Sequence, residues 1–162
     1  MTSMDIIFWR HAHAKPLQDD QDDLERPLSV KGEKQAKQMA AWLNQHLDKR
    51  VIVLVSPALR AVQTANALGL GYEIEQEIRP GADMETILGV ISRHLDEDDN
   101  DQQPRQIVLV GHQPWIGQTI GRMLGMRAGL EVKKGAVWWL HSDTDSSSPQ
   151  FRLLVSMCPQ ML

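Results

Sequence analysis

Apolar residues along this chain fall into two patterns: short continuous runs, and stretches spaced by three and four. The first run, DIIFW at residues 5–9, suits a buried strand. Residues 12–28 are polar and acidic and carry Pro16 and Pro27, which predicts a loop. Ser29 can cap a helix reaching about Leu47, with Ala36, Met39, Ala40, Leu43 and Leu47 along one buried face. VIVLV, residues 51–55, is continuous and β-branched, as a parallel strand covered on both faces reads. Ser56-Pro57 opens the next helix, Ser as cap and Pro in the first turn, and Gly69 and Gly71 end it. YEIEQEI, residues 72–78, alternates and predicts a third strand. Asp83 caps a helix to about Leu95, and residues 96–104, DEDDNDQQP, predict a solvated loop. QIVLV, residues 106–110, is a further buried strand, and Pro114 starts a helix to about Leu124. GAVWWLH and QFRLLVS flank a Ser/Asp-rich turn and predict a hairpin, with Trp138 and Trp139 on opposite faces of their strand.

Strands alternating with helices predict an α/β fold. Right-handed crossovers put helices on both faces of a mainly parallel sheet, giving a three-layer α/β/α domain. The hairpin adds antiparallel strands near the C-terminus. No break in composition divides the chain, so residues 1–162 are expected to form a single domain.

Composition narrows the function. A hydrophobic fraction of 42% and a charged fraction of 23% are ordinary for a soluble protein. The formal net charge is −4 with no long Lys/Arg cluster, so neither nucleic acid nor an anionic membrane is an expected partner. Any anion site must be a local arrangement of arginines within an acidic protein. Cys158 is the single cysteine; with no signal-like segment and no apolar stretch of membrane length, a cytoplasmic location is expected.

Three motifs follow three strands directly. Arg10-His11 follows the first, Ser56-Pro57 with Arg60 one turn later follows VIVLV, and Gly111-His112 follows QIVLV. In parallel α/β sheets ligands bind beyond the carboxyl ends of the strands. Each motif alone reads equally well as a capping or solvated residue. Together they deliver two arginines and two histidines to one sheet edge. Arginine forks match phosphate oxygens. Histidine, with an ordinary pKa of about 6.5, is a suitable nucleophile, and nearby arginines favour its neutral form. Attack by a ring nitrogen on phosphorus gives a phosphohistidine that water can hydrolyse.

The segments "RHA", "RPLSVKG", "SPALRAVQTA" and "VGHQPWIG", in this order from about residue 5 to 124, resemble the histidine phosphatase (phosphoglycerate mutase-like) superfamily. Within it they resemble the short SixA-type phosphohistidine phosphatases. The resemblance implies that His11 accepts the phosphoryl group, that Arg10 and Arg60 bind phosphate, and that His112 binds and stabilises the transferring group. It also implies that Arg26, in "RPLS", adds a phosphate contact. No cofactor and no metal are implied. The partner would be a phosphohistidine-containing protein or a phosphorylated small molecule. "RHA" stands where much of the superfamily has "RHG", and Gln113 replaces a frequent Asn, a change that touches a helix cap.

Other residues compete for attention. His13 shares a face with His11 on an extended segment, and a metal-dependent hydrolase built on the pair is a rival reading. Arg10 and the absence of an acidic residue directly beside His112 argue against a dication there. A phospho-ligand binding module without turnover, a small-molecule phosphomonoesterase and a phosphomutase are further rivals; the last needs longer insertions than this chain has. The general acid is open among Glu77, Asp83 and His112. Acidic residues 18–25 read as a solvated loop, or as a feature that steers a basic partner. His46, His94 and His141 read as surface or half-buried side chains.

Overall fold

The alternation of the first strand decides the architecture. In the computed structural model, which describes residues 3–96, 106–143 and 150–162, β1 (Ser3–Arg10) sends Ile6 and Phe8 to one face and Ile7 and Trp9 to the other, all four fully buried. A strand buried on both faces needs a layer of helices on each side. On the Ile6 face lie α3 (Met84–Asp96) and α4 (Trp115–Met123), through Ile87, Val90, Ile91, Trp115, Ile116 and Ile120. On the Ile7 face lie α1 (Val30–Asn44) and α2 (Leu59–Asn66), through Met39, Ala40, Leu43, Ala61 and Ala65. Each fully buried large side chain contributes about 1.5–3 kcal/mol.

The remaining strands are β2 (Ile52–Val55), β3 (Glu73–Ile74), β4 (Gln106–Gly111), β5 (Val137–Asp143) and β6 (Gln150–Met157). They form one six-stranded sheet in the order β3-β2-β4-β1-β5-β6. The first four in that order are parallel, and β5 and β6 are antiparallel additions. The expected three-layer α/β fold with a mainly parallel sheet and a late hairpin is therefore present. β4 enters between β1 and β2, with Arg10 opposite Gly111 and Val55 opposite Val110. That register brings the carboxyl ends of three strands level, and residues 11, 56 and 112 leave the sheet side by side.

Local chemistry explains where the elements differ from the pattern. Ser29 caps α1, its Oγ accepting from Gly32 N–H at 3.0 Å. The helix stops at Asn44, whose amide donates to the Leu68 carbonyl at 3.0 Å; Leu47 lies beyond it but still packs on the core. Residues 72–78 make only a two-residue strand. Glu75 accepts the Glu77 N–H through its carboxylate at 3.1 Å, and Gln76–Ile78 turns into a 3₁₀ helix that buries Ile78 completely. Ser56 and Pro57 lie ahead of α2, which starts at Leu59 with Ala58 as a cap residue that offers no side chain. Asp83 does precede α3 as expected, accepting from Thr86 N–H at 2.8 Å. Trp139 packs in the α1/α2 layer, meeting Trp42 edge-on at 6.4 Å, while Trp138 packs in the opposite layer. Most of the expected loop at 96–104, and the turn at 144–149, lie outside the described residues.

A Cβ added at Gly32 of α1 would collide with the His13 carbonyl oxygen. Gly32→Ala should therefore cost about 1–3 kcal/mol, as overpacking does. A thermal melt reads this as a lowered Tm, and an unchanged Tm would contradict the packing.

Candidate active site

Backbone bonds fix the segment after β1 from three directions. His11 N–H donates to the Gly111 carbonyl at 3.0 Å, and Gly135 N–H donates to the His11 carbonyl at 3.0 Å. Gly135 has φ +76°, a left-handed conformation that suits glycine, and its own carbonyl accepts from Trp9 Nε1 at 3.0 Å. Ala12 N–H donates to Thr64 Oγ1 at 3.0 Å, and that hydroxyl donates to the Arg60 carbonyl at 2.7 Å. Leu28 N–H donates to Gln63 Oε1 at 2.7 Å, tying the long connection to α2. Thr64 and Gln63 thus hold α2, and with it Arg60, against the His11 segment. Read from the sequence, Thr64 belongs with Ala61, Ala65 and Leu68 to one packing face of the helix and Gln63 has no assigned role; their spacing from Arg60 within "LRAVQT" was the available signal.

The two imidazoles end up together. His11 is 6% exposed and His112 is 2% exposed, with ring centroids 5.1 Å apart. His11 Nδ1 lies 2.8 Å from the Ala12 carbonyl. A carbonyl only accepts, so Nδ1 carries the hydrogen and Nε2 keeps its lone pair. Burial pushes the His11 pKa down to about 3; the bond to Ala12 opposes this, and Arg60, Arg10 and Arg26 add to it. Burial likewise pushes His112 down to about 2, reinforced by His11 and the same three arginines. Both rings are neutral throughout the physiological range.

Arg60 is buried as well, and Arg10 is half-buried. Arg60 is 3% exposed. Its Nη1 donates to the Asp23 carbonyl at 2.8 Å and its Nη2 to Asp23 Oδ2 at 3.0 Å. Arg10 Nη1 donates to the Val132 carbonyl at 2.7 Å. Among the described residues, six buried side-chain nitrogens or oxygens have no hydrogen-bond partner. Three of them are Arg10 Nε, Arg60 Nε and His112 Nδ1, one from each motif. Buried polar groups without partners are rare, and three converging from separate segments call for an acceptor. An oxyanion beside His11 Nε2 is one such acceptor, and its charge is opposite to those of Arg10 and Arg60, which repel each other.

Asp23 is the residue that sequence reasoning missed. It sits in the 3₁₀ turn Asp23–Glu25, inside the acidic stretch expected to be solvated. Besides Arg60, it pairs with Arg26, whose Nε and Nη2 lie 3.2 and 3.1 Å from Oδ1. Partial burial acts to raise its pKa, but Arg60 and then Arg26 outweigh it and hold the carboxyl below its ordinary value. Arg26 also makes a longer bond to the Lys15 carbonyl at 3.4 Å, and its charge acts on both imidazoles. Thus all five expected site residues, Arg10, His11, Arg26, Arg60 and His112, gather at one sheet edge. Nothing local in "QDDQDDLE" distinguishes Asp23 from its acidic neighbours.

Other candidates have different partners. His13 Nδ1 lies 2.6 Å from Ser29 Oγ, so the ring turns toward the start of α1. Among the described residues no group of three or more His, Cys, Asp or Glu is arranged to share a metal ion. Glu77 pairs with Arg93 at 2.7 Å, and Asp83 is the cap of α3. His46 and His94 bond to the carbonyls of Trp42 and Val90, and His141 lies 2.6 Å from Asp5. Gln113 is indeed a cap-like residue: its Oε1 accepts from Gly117 N–H at 2.7 Å while its Nε2 donates to the Leu130 carbonyl at 2.8 Å.

Comparison with known proteins identifies the family. The family model of the histidine phosphatase superfamily (branch 1) matches residues 6–83. The chain belongs to the histidine phosphatase superfamily. It is 28% identical over 157 residues to the phosphohistidine phosphatase SixA homolog of Haemophilus influenzae, covering 89% of this chain and 92% of that one. An uncharacterised protein of a Picosynechococcus strain is 32% identical over 149 residues, covering 86% of each chain. The structure of the protein histidine phosphatase SixA complexed with tungstate has the same fold, with a TM-score of 0.79 at 22% identity over 98% of this chain and 99% of that one.

Two outcomes test the geometry. Inorganic phosphate at about 100 times its Kd should stabilise the fold by about 2.7 kcal/mol. Arg60→Ala should remove most of the accompanying rise in Tm; an equal rise in that variant would place the anion elsewhere.

The second outcome concerns protons. Between about pH 6.5 and 3 the unfolded chain protonates His11 while the folded site refuses the proton. The unfolded state then binds more protons, so stability falls as the pH drops through that window. In phosphate-free buffer Tm should decline from about pH 7 to 4, less steeply in His11→Gln. ¹⁵N NMR should show both rings neutral at about pH 5; imidazolium signals there would contradict the account.

Proposed function

We propose that this protein is a metal-independent phosphatase that removes phosphate from phosphohistidine on other proteins through a phosphorylated His11. The observation that carries the proposal is the neutral His11 Nε2 lone pair on a ring next to His112, with Arg10 Nε, Arg60 Nε and His112 Nδ1 buried and without a protein partner. Nε2 attacks phosphorus and the bond to the leaving group breaks. Arg10, Arg60 and His112 take the charge that builds on the phosphoryl oxygens, and Arg26 adds a contact at the rim. Water then attacks the phosphorus of phospho-His11, the P–N bond breaks, phosphate leaves and the imidazole is restored. Removing one such donor typically costs about 10²–10³ in kcat.

Two features favour a phosphohistidine substrate. The connections after β2 and β4, residues 56–58 and 112–114, are short; the longer ones beside the site are residues 11–29 and 124–136, the latter touching Arg10 and His11 through Val132 and Gly135. An open edge suits a side chain presented by a partner protein better than a small metabolite that needs enclosure. The leaving group matters as well. Imidazole titrates near 6.5, so a phosphorylated ring can take a proton on its free nitrogen and depart as neutral imidazole without a strong acid. Glu77 and Asp83 have structural partners, and His112 is held neutral, which fits a reaction that needs no acid. The SixA-named relative supports the same reading. The partner is thus a phosphohistidine-bearing protein, and a free Cys158 is in keeping with a reducing, cytoplasmic setting.

The experiment is a side-by-side assay at neutral pH. A phosphohistidine peptide should show a higher kcat/KM than phosphoserine, phosphotyrosine or sugar phosphates, with activity that survives exhaustive chelation and vanishes in folded His11→Ala. A small phosphate monoester winning by more than about tenfold would overturn the substrate assignment, since about 1.4 kcal/mol is then on the wrong side. Loss on chelation with recovery on Zn²⁺ or Mn²⁺ would overturn the mechanism.

A further inference from the structure

Ser56 is fully buried at the end of β2, and the catalytic reading above gives it no task. Its Oγ lies 2.7 Å from His112 Nε2 and 3.3 Å from the Ala58 backbone nitrogen. The Ala58 N–H can only donate, so Oγ accepts from it. The hydroxyl hydrogen is then free for an acceptor, and His112 Nε2 is the acceptor within reach. With Nε2 as acceptor, a neutral ring must carry its hydrogen on Nδ1. Nδ1 is the ring nitrogen that is buried without a partner, as are the Nε atoms of Arg10 and Arg60.

The opposite tautomer fails on the same geometry. A hydrogen on Nε2 would donate to Ser56 Oγ and leave the hydroxyl hydrogen without a described acceptor. It would also turn a bare lone pair on Nδ1 toward the position of a phosphoryl oxygen, which repels it. The cost of such unmet or opposed groups in a buried site exceeds what a single bond returns.

We propose that Ser56 is a positioning residue that sets the tautomer of His112, holding its hydrogen on Nδ1 so that a neutral ring can donate to the phosphoryl group. This rests on the phosphatase reading for its consequence but not for its geometry. Ser56 touches no reacting atom. It acts through His112, as a residue bonded to the far nitrogen of a catalytic histidine does. It also explains why a serine ahead of α2 is not the helix cap that its place in the sequence suggests.

The test compares wild type with Ser56→Ala by ¹⁵N NMR of the histidine rings in the resting protein, with steady-state kinetics alongside. Wild type should show His112 protonated on Nδ1, and Ser56→Ala should show Nε2–H populated. Turnover of the phosphohistidine peptide should fall about 10- to 100-fold, chiefly in kcat, because the donated bond strengthens in the transition state. A wild-type ring protonated on Nε2 would overturn the proposal. So would a Ser56→Ala protein that keeps the Nδ1–H tautomer or wild-type kcat. Should Ser56→Ala fold poorly, the wild-type tautomer decides alone. The ring measurement needs no substrate, so it stands or falls separately from the phosphatase reading, which is judged by whether wild type turns over the peptide and His11→Ala does not.

Discussion

Two guanidiniums and two imidazoles, brought together and largely buried at the end of one sheet, are the constraint on which this protein is built. Burial disfavours the charged form of both imidazoles most, and the neighbouring arginine charges push the same way. Arginine does not give up its proton, so the histidines remain neutral. The arrangement that would make poor electrostatics in an ordinary core produces a free imidazole lone pair beside fixed cations. In the proposed reaction an oxyanion completes it, taking the hydrogen bonds that the chain leaves unmade and relieving the repulsion between Arg10 and Arg60. Positioning and charge stabilisation require no further chemistry from the protein.

The scaffold serves this constraint. Placing β4 between β1 and β2 levels three strand ends, and the helical layers on both faces make the strands rigid. Around that base specific hydrogen bonds tether the neighbouring elements. Thr64 ties α2 to the backbone beside His11, Gln63 ties it to the long connection, and Gly135 closes the other side. Asp23 holds the outer ends of Arg60 and Arg26, which leaves the Arg60 Nε edge for a ligand. Charge-assisted bonds of this kind are about twice as strong as neutral ones, and here they fix the direction of a donor as well as its presence.

Much of this is legible in the sequence because it is local. Apolar runs marked the buried strands, three-four spacing marked the helices, and residues directly after a strand had to emerge at one sheet edge, so Arg10, His11, Arg60 and His112 were found together. What escaped has partners distant along the chain. Asp23 meets Arg60 across 37 positions, and Ser56 meets His112 across 56. Neither pairing leaves a periodic trace. Ser56 looked like a cap because Ser-Pro commonly opens a helix, yet its hydroxyl has a stronger claim from a buried ring. Residues 72–78 alternated like a strand, but burying Ile78 and capping at Glu75 bent the chain out of the ladder after two residues.

The central claim is that phosphate is transferred to one particular atom. His11 Nδ1 is bonded to the Ala12 carbonyl and Nε2 carries the lone pair, so a trapped phosphoenzyme must be phosphorylated on Nε2. Incubating ¹⁵N-labelled protein with phosphoramidate, trapping at alkaline pH and reading the ³¹P and ¹⁵N spectra locates the group directly. The account predicts a single acid-labile phosphoryl group on Nε2 of His11. Phosphate on Nδ1 of that ring, or on any other residue, would contradict it.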